Sequence, residues 1–319
     1  MLAGRGLEEV GDSMELVHKE GYRMYKAGNS GFPDKTYIIC SDEGSGILLR
    51  PHIAGKELQD RMEKVAEIFM DAAGRLALKG KKQGNITELI FLAGGLYYQL
   101  NHGFKKNFNA AIPQCFLGIK RQRVEGSEGA FTAVATYENF ESLPDNATVV
   151  IGDTIATGAT LQQGIYHLLD ALDSKSYKLD NLVVCSLACS VTGARLMKEV
   201  EKRVKRDFPD ANVYLIVAEG LLHLMPDGTD LRFLYDDAVM PDEARERVLS
   251  EYGPQLAREM KCAVFDWGTR CKNPLKHYRE FLEFVEEMKK SGMDAKADSV
   301  MERMEKETKA ALAQFEKPL

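Results

Sequence analysis

Val149-Val150-Ile151-Gly152-Asp153-Thr154-Ile155-Ala156-Thr157-Gly158-Ala159-Thr160-Leu161 is the stretch on which the fold turns. It opens as a short apolar strand over 148–152 and sets an acid at the strand's carboxyl end. Small and hydroxyl-bearing residues then lead into a helix predicted over 161–172. In an open α/β sheet, ligands bind outside the carboxyl ends of the strands. A helix N-terminus there offers N–H groups and the positive end of a dipole, which together suit a phosphate. Thr157 and Thr160 can add hydroxyl donors, and Gly158 lets the backbone come close. A plainer reading makes Thr157 or Thr160 an N-cap. That explains one hydroxyl, not the combination of acid, two threonines and glycine. The segment is neither a Walker loop nor a dinucleotide fingerprint, because G-x-x-x-x-G-K-[ST] and G-x-G-x-x-G are both absent.

Outward from this unit the pattern repeats. Apolar runs predict strands over 87–92, 115–119, 182–188 and 213–218, with an alternating strand over 131–137 and an edge strand over 36–40. Helical spacing marks 57–78, 96–103 and 194–204. Strands alternating with helices of this length imply crossover units and a parallel sheet, so the fold class is α/β. Beyond 219 helices dominate, over 241–260, 275–288 and 295–315. The chain divides into an N-terminal segment (1–45), an α/β core (46–230) and a C-terminal region (231–319) with a helical extension. That extension is read as a surface for a partner, with a homodimer expected. Residues 120–129 are polar, carry a charge cluster and two glycines, and read as a mobile loop.

Bulk composition narrows the chemistry. The 319 residues are 45% hydrophobic and 28% charged, with a net charge of −6. That balance gives no general attraction to nucleic acid or to an anionic membrane, so a polyanionic substrate must be held by local cations. No run of 18 apolar residues occurs, so no membrane span is expected. The acids Glu8, Glu9, Asp12 and Glu15 argue against a secretory signal, and cytoplasm is the expected compartment. Six cysteines without a C-x-x-C pair read as buried free thiols. Six scattered histidines without ligand spacing argue against a transition-metal site.

Asp153 to Leu161 resembles the phosphoribosyl pyrophosphate motif of type I phosphoribosyltransferases, and its surroundings resemble the uracil phosphoribosyltransferase branch. Leu49-Arg50 precedes the 57–78 helix as in that branch. Leu92-Ala93-Gly94-Gly95 stands where its pyrophosphate loop follows a strand, and Gly118-Ile119-Lys120-Arg121-Gln122-Arg123 where a strand ends in a basic flexible loop. Phe265-Asp266-Trp267-Gly268-Thr269-Arg270 is similar to its G-D-x-G-x-R stretch except at the first position. The similarity covers about residues 46 to 270. Leu92 replaces a usual arginine, Gly152 replaces an acid, the base-reading loop has no clear match, and 231–260 reads as an insertion.

The resemblance implies a type I phosphoribosyltransferase fold with a hood region within 231–319. It also implies transfer of 5-phosphoribosyl from phosphoribosyl pyrophosphate to a nucleobase-like acceptor, with Mg²⁺ and release of pyrophosphate. Asp153 would face the ribose hydroxyls. Thr154, Ala156, Thr157, Gly158, Ala159 and Thr160 would hold the 5-phosphate, and Ala93 and Gly94 the pyrophosphate. Lys120, Arg121 and Arg123 would neutralise the leaving group, Arg121 as a catalytic residue, the alternative being a solvated charge cluster. Asp266 would hold Mg²⁺ or the ribose, or else serve as a surface cap, and Arg270 would join the substrate site. His102 and His223 read as packing or surface residues, and Tyr137 as core. A non-catalytic sensor that binds phosphoribosyl pyrophosphate or a nucleotide is the alternative function.

Overall fold

A computed structural model describes residues 13–28, 31–92, 94–123, 131–261 and 267–317. Among these, nine strands form one sheet in the order β1-β2-β3-β10-β8-β7-β4-β5-β6. Its centre is parallel: β3 (Lys35–Cys40), β10 (Asn212–Ala218), β8 (Leu179–Ser186), β7 (Ala147–Gly152), β4 (Ile86–Phe91) and β5 (Gln114–Arg123). Every residue of β4 and β7 is buried, which requires cover on both faces of the sheet. The cover comes from α2 (Gly55–Ala73) packed with α3 (Leu100–Phe108), and from α4 (Ala159–Ser174) packed with α5 (Val191–Asp207). A short α1 (Asp42–Leu48) precedes α2.

Both edges are finished by antiparallel strands. β1 (Ser13–His18) and β2 (Arg23–Gly28) form a hairpin whose second strand pairs with β3. The strand expected at an edge, β3, therefore lies inside the sheet. Residues 13–40, expected as a separate N-terminal segment, supply three of its strands. At the other edge β6 (Phe131–Asn139) pairs with β5 along its whole length, Lys120 with Val134 and Arg123 with Phe131. Residues 120–123, expected in a mobile loop, are thus strand. Two antiparallel strands leave water on a face, so a polar run fits the ladder as well as an apolar one. Tyr137, expected in the core, is half exposed on this edge for the same reason. The rest of the expected loop, 124–129, lies outside the described residues.

A second sheet, β12-β11-β9, sits over the carboxyl ends of the parallel strands. β9 (Cys189–Ser190) bridges to Ile155 and pairs with β11 (Leu221–Leu224), which pairs with β12 (Leu231–Arg232). The C-terminal helices are α6 (Asp242–Glu259, kinked at Gly253-Pro254), α7 (Trp267–Lys272), α8 (Pro274–Ser291) and α9 (Ala295–Phe315). They are built into the core. His277 Nε2 bonds the Pro51 carbonyl at 2.8 Å, Tyr278 donates to Ala54 O at 3.4 Å, and buried His52 bonds Glu307 of α9 at 2.7 Å. The expected buried free thiols are found at Cys40, Cys115, Cys185, Cys189 and Cys271. No helix among the described residues is long and apolar enough to cross a membrane.

One core acid carries a testable pH signature. Glu88, in the middle of β4, is 3% exposed and accepts one hydrogen bond, from Gln114 at 2.8 Å. Burial pushes its carboxyl up to about 7. Between its unfolded value near 4.5 and pH 7 the folded state binds more protons than the unfolded state, so stability falls as pH rises through that window. A shift of this size corresponds to about 3 kcal/mol. His52 acts in the opposite sense, because burial pulls it down to about 4 and stability then falls as pH drops below about 6.5. The difference between wild type and Glu88→Gln isolates the acid: melting temperatures measured from pH 4.5 to 7 should favour the variant increasingly as pH rises.

Candidate active site

The strand-to-helix turn of the opening motif lines an open cleft of about 700 Å³ at the carboxyl end of the sheet. Backbone bonds fix the turn. Asp153 N donates to Cys185 O at 3.1 Å, Ile155 N to Ala188 O at 2.9 Å, and Ser190 N to Ile155 O at 2.8 Å. Gly158 begins α4 at φ +80, a left-handed conformation that favours glycine, and no side chain caps the helix. A Cβ there would also lie 3.1 Å from Leu196 Cδ2, a tight contact. Thr157 reaches the helix only at long range, with Ala159 N 3.5 Å from its Oγ1. The helix therefore presents its N-terminal dipole to the cleft without a close side-chain cap.

Asp153 stands at the rim of β7. Its Oδ1 accepts the N–H of Thr154 at 2.9 Å. Burial pushes its carboxyl up to about 7, and the Thr154 hydrogen bond opposes that shift. Near neutral pH it can hold or release a proton with little penalty. Gly94 faces it. A Cβ on Gly94 would fall 2.9 Å from Asp153 Oδ1 and 3.3 Å from Trp267 Cδ1, so the 94–97 turn can come this close only without a side chain. Trp267 Nε1 donates to Gly94 O at 3.3 Å.

The remaining walls lie outside the expected site. Leu92 and Leu96, 40% and 47% exposed, form an apolar face with Ile119, Leu161 and Trp267. Opposite, the turn between β11 and β12 brings Asp227 to Leu231 to the cleft, with Gly228 against the Thr157 methyl. Asp227 Oδ1 accepts the N–H groups of Thr229 and Asp230, each at 3.0 Å, and these bonds hold its carboxyl below the usual range. Asp230 pairs with Arg232, while burial raises its carboxyl. Lys261 and Lys272 line the same space. The sequence does carry a signal for this wall in Pro226-Asp227-Gly228, a turn sequence between two apolar runs.

Not every expected residue arrives. Thr154, Ala156, Gly158, Thr160 and Gly94 line the cleft with Asp153. Thr157 is partly buried beside Gly228, and Ala159 is exposed on the first turn of α4. Lys120 is exposed and does not line the cleft; its neighbour Ile119 does, and successive strand side chains face opposite ways. Arg121 and Arg123 belong to β5, but their side chains lie outside the described residues, as do Ala93 and Asp266 altogether. Arg270 does not line the cleft either. Its guanidinium is fully buried and donates to Ile53 O and Arg50 O at 2.7 Å and to Ile47 O at 3.3 Å. His223 stacks on Tyr235 at 4.2 Å and bonds Asp237, and His102 contacts Glu67 at 3.4 Å, both in packing or surface roles.

No protein-family model matches the chain, and no curated protein matches it in sequence. Among solved structures it is similar to a hypoxanthine-guanine phosphoribosyltransferase of L. donovani, at 14% identity and TM-score 0.33, over 51% of this chain and 82% of that one. A mutant hypoxanthine phosphoribosyltransferase of Trypanosoma cruzi, complexed with the product IMP, shares 17% identity at TM-score 0.31, over 60% and 91%. One from Staphylococcus aureus shares 15% at 0.29, over 57% and 89%. Likenesses this distant carry no argument about chemistry, which has to come from the cleft itself.

Proposed function

We propose that the protein is a type I phosphoribosyltransferase, transferring 5-phosphoribosyl from phosphoribosyl pyrophosphate to a nitrogen of a flat heterocyclic acceptor. One observation supports this above the others: a single cleft joins an uncapped helix N-terminus to a strand-end carboxyl at Asp153 and to an apolar wall. The helix end suits the 5-phosphate, Asp153 the ribose, and the face of Leu92, Leu96 and Ile119 a planar base. A uracil-type acceptor belongs in the first panel tested.

In the reaction the bond between the anomeric carbon and a pyrophosphate oxygen breaks, and the electron pair leaves with pyrophosphate. A ring nitrogen forms the new bond and gives up its proton. Positive charge grows on the ribose meanwhile, as in other glycosyl transfers. Asp153, ionised when that charge develops, stabilises it by proximity. The wall of Leu92, Leu96 and Trp267 keeps water from the anomeric carbon. Among the described residues no three His, Cys, Asp or Glu side chains are grouped to hold a metal ion. Mg²⁺ would be held mainly by the substrate's own phosphates, with Asp153 the cleft carboxylate that would add a protein ligand. When bound, the ion offsets the charge that gathers on the departing pyrophosphate.

The phosphate assignment has its own test. Hydrogen bonds to charged groups contribute about 1.5 to 3 kcal/mol each. Thr157→Ala combined with Thr160→Ala should weaken binding of phosphoribosyl pyrophosphate by about 2 to 4 kcal/mol in calorimetry. A folded double variant with unchanged affinity removes the phosphate from this turn.

A further inference from the structure

Ser190 is fully buried behind the phosphate turn, and three hydrogen bonds meet on it. Its N–H donates to Ile155 O at 2.8 Å, and its hydroxyl donates to Ala156 O. The same Oγ accepts the N–H of Gly193 at 2.7 Å, which makes Ser190 the N-cap of α5. Gly193 lets the turn and the helix meet this closely: a Cβ there would lie 2.8 Å from Ala156 O and 2.4 Å from Ile155 Cγ2. One residue thus holds two consecutive carbonyls of the turn against the start of α5.

A trans peptide is planar, with its C=O and N–H on opposite sides. Holding the carbonyls of Ile155 and Ala156 toward α5 therefore turns the N–H groups of Ala156 and Thr157 away from it. Among the described residues nothing accepts these two N–H groups or that of Gly158, and Ala156 and Gly158 line the cleft. Successive N–H groups facing one way form a concavity that suits an anion. We infer that Ser190 is a positioning residue for the 5-phosphate, holding both carbonyls back so that the N–H groups of Ala156 and Thr157 meet the phosphate. The role rests on reading the turn as the seat of that phosphate. Ser190 does not itself line the cleft, so it acts through the turn. Without the hydroxyl, the bond to Ile155 survives because the backbone makes it. The Ala156 carbonyl loses its donor, the 156–157 peptide is free to turn, and the loss falls on the Thr157 N–H.

The test compares the two halves of the substrate by calorimetry, ribose 5-phosphate on one side and pyrophosphate with Mg²⁺ on the other. Ser190→Ala should weaken binding of ribose 5-phosphate about tenfold, the scale of one impaired hydrogen bond to a charged group. Binding of pyrophosphate should not change. With phosphoribosyl pyrophosphate as substrate, KM should rise by a similar factor while turnover stays within about threefold, because the 5-phosphate is held alike before and during transfer. A general loosening of the fold, as from loss of the α5 cap alone, would weaken both halves together. Ser190→Gly is the companion variant, since glycine caps a helix nearly as well as serine but has no hydroxyl. It should reproduce the binding loss with little change in melting temperature. A folded Ser190→Gly protein that binds ribose 5-phosphate like the wild type, or that weakens both halves equally, overturns the role of Ser190 alone. A wild type that binds pyrophosphate but not ribose 5-phosphate strikes the reading of the turn, and the role of Ser190 falls with it.

Discussion

Asp153→Asn should lower turnover by about ten- to a thousandfold, the scale set by losing one preorganised electrostatic contact at developing charge. The substitution keeps the shape of the side chain and an oxygen for the Thr154 N–H, but it removes the charge. Binding of phosphoribosyl pyrophosphate should change far less than turnover, because the charge matters most once the ribose becomes cationic. The carboxyl pushed up to about 7 adds a pH signature. Wild-type activity should rise with pH through the neutral range as Asp153 ionises, and the variant should lack that limb. Pyrophosphate release measured beside equilibrium binding checks both. A variant with full turnover would reduce Asp153 to a structural residue at the end of β7.

Arg270→Met should be the most destabilising of the substitutions considered. The guanidinium is buried completely and donates to three carbonyls, that of Ile47 at the end of α1 and those of Arg50 and Ile53 between α1 and α2. A hydrogen bond from a charged donor contributes about 1.5 to 3 kcal/mol, and the flexible methionine replaces none of the three. A loss of about 3 to 5 kcal/mol follows, comparable with the whole margin of many domains. Arg270→Lys should recover only part of it, since an ammonium cannot reproduce a planar fork reaching three acceptors. Urea unfolding monitored by circular dichroism measures this. A midpoint within a few tenths molar of wild type would mean that the guanidinium is dispensable to the fold, and would reopen a substrate role for it.

Arg270 also shows where sequence stops short. A charged residue near a recognisable motif reads as a ligand for substrate, and nothing local says that its donors face backbone carbonyls 217 to 223 residues away. The unit from Ala147 to Ser174 is legible because its signals are local: an all-apolar run fits only a strand covered on both faces, and small residues then open a helix. The β1–β2 hairpin escapes a sequence reading because its alternation is broken by Lys26 and its burial depends on the sheet beside it. The polar end of β5 reads as a loop because an edge ribbon tolerates charge. Pro226-Asp227-Gly228 marks a turn, but that the turn becomes a wall of the cleft stays hidden, because β11 is placed there by pairing with β9, which is distant in sequence.

The most direct measurement is pyrophosphate release from phosphoribosyl pyrophosphate with Mg²⁺, in the presence of each of a panel of pyrimidine and purine bases. Phosphoribosyl transfer in this cleft requires release that depends on at least one base and collapses in the Thr157→Ala, Thr160→Ala variant. Tight binding of phosphoribosyl pyrophosphate without release for any base would contradict it and make the protein a sensor of that ligand.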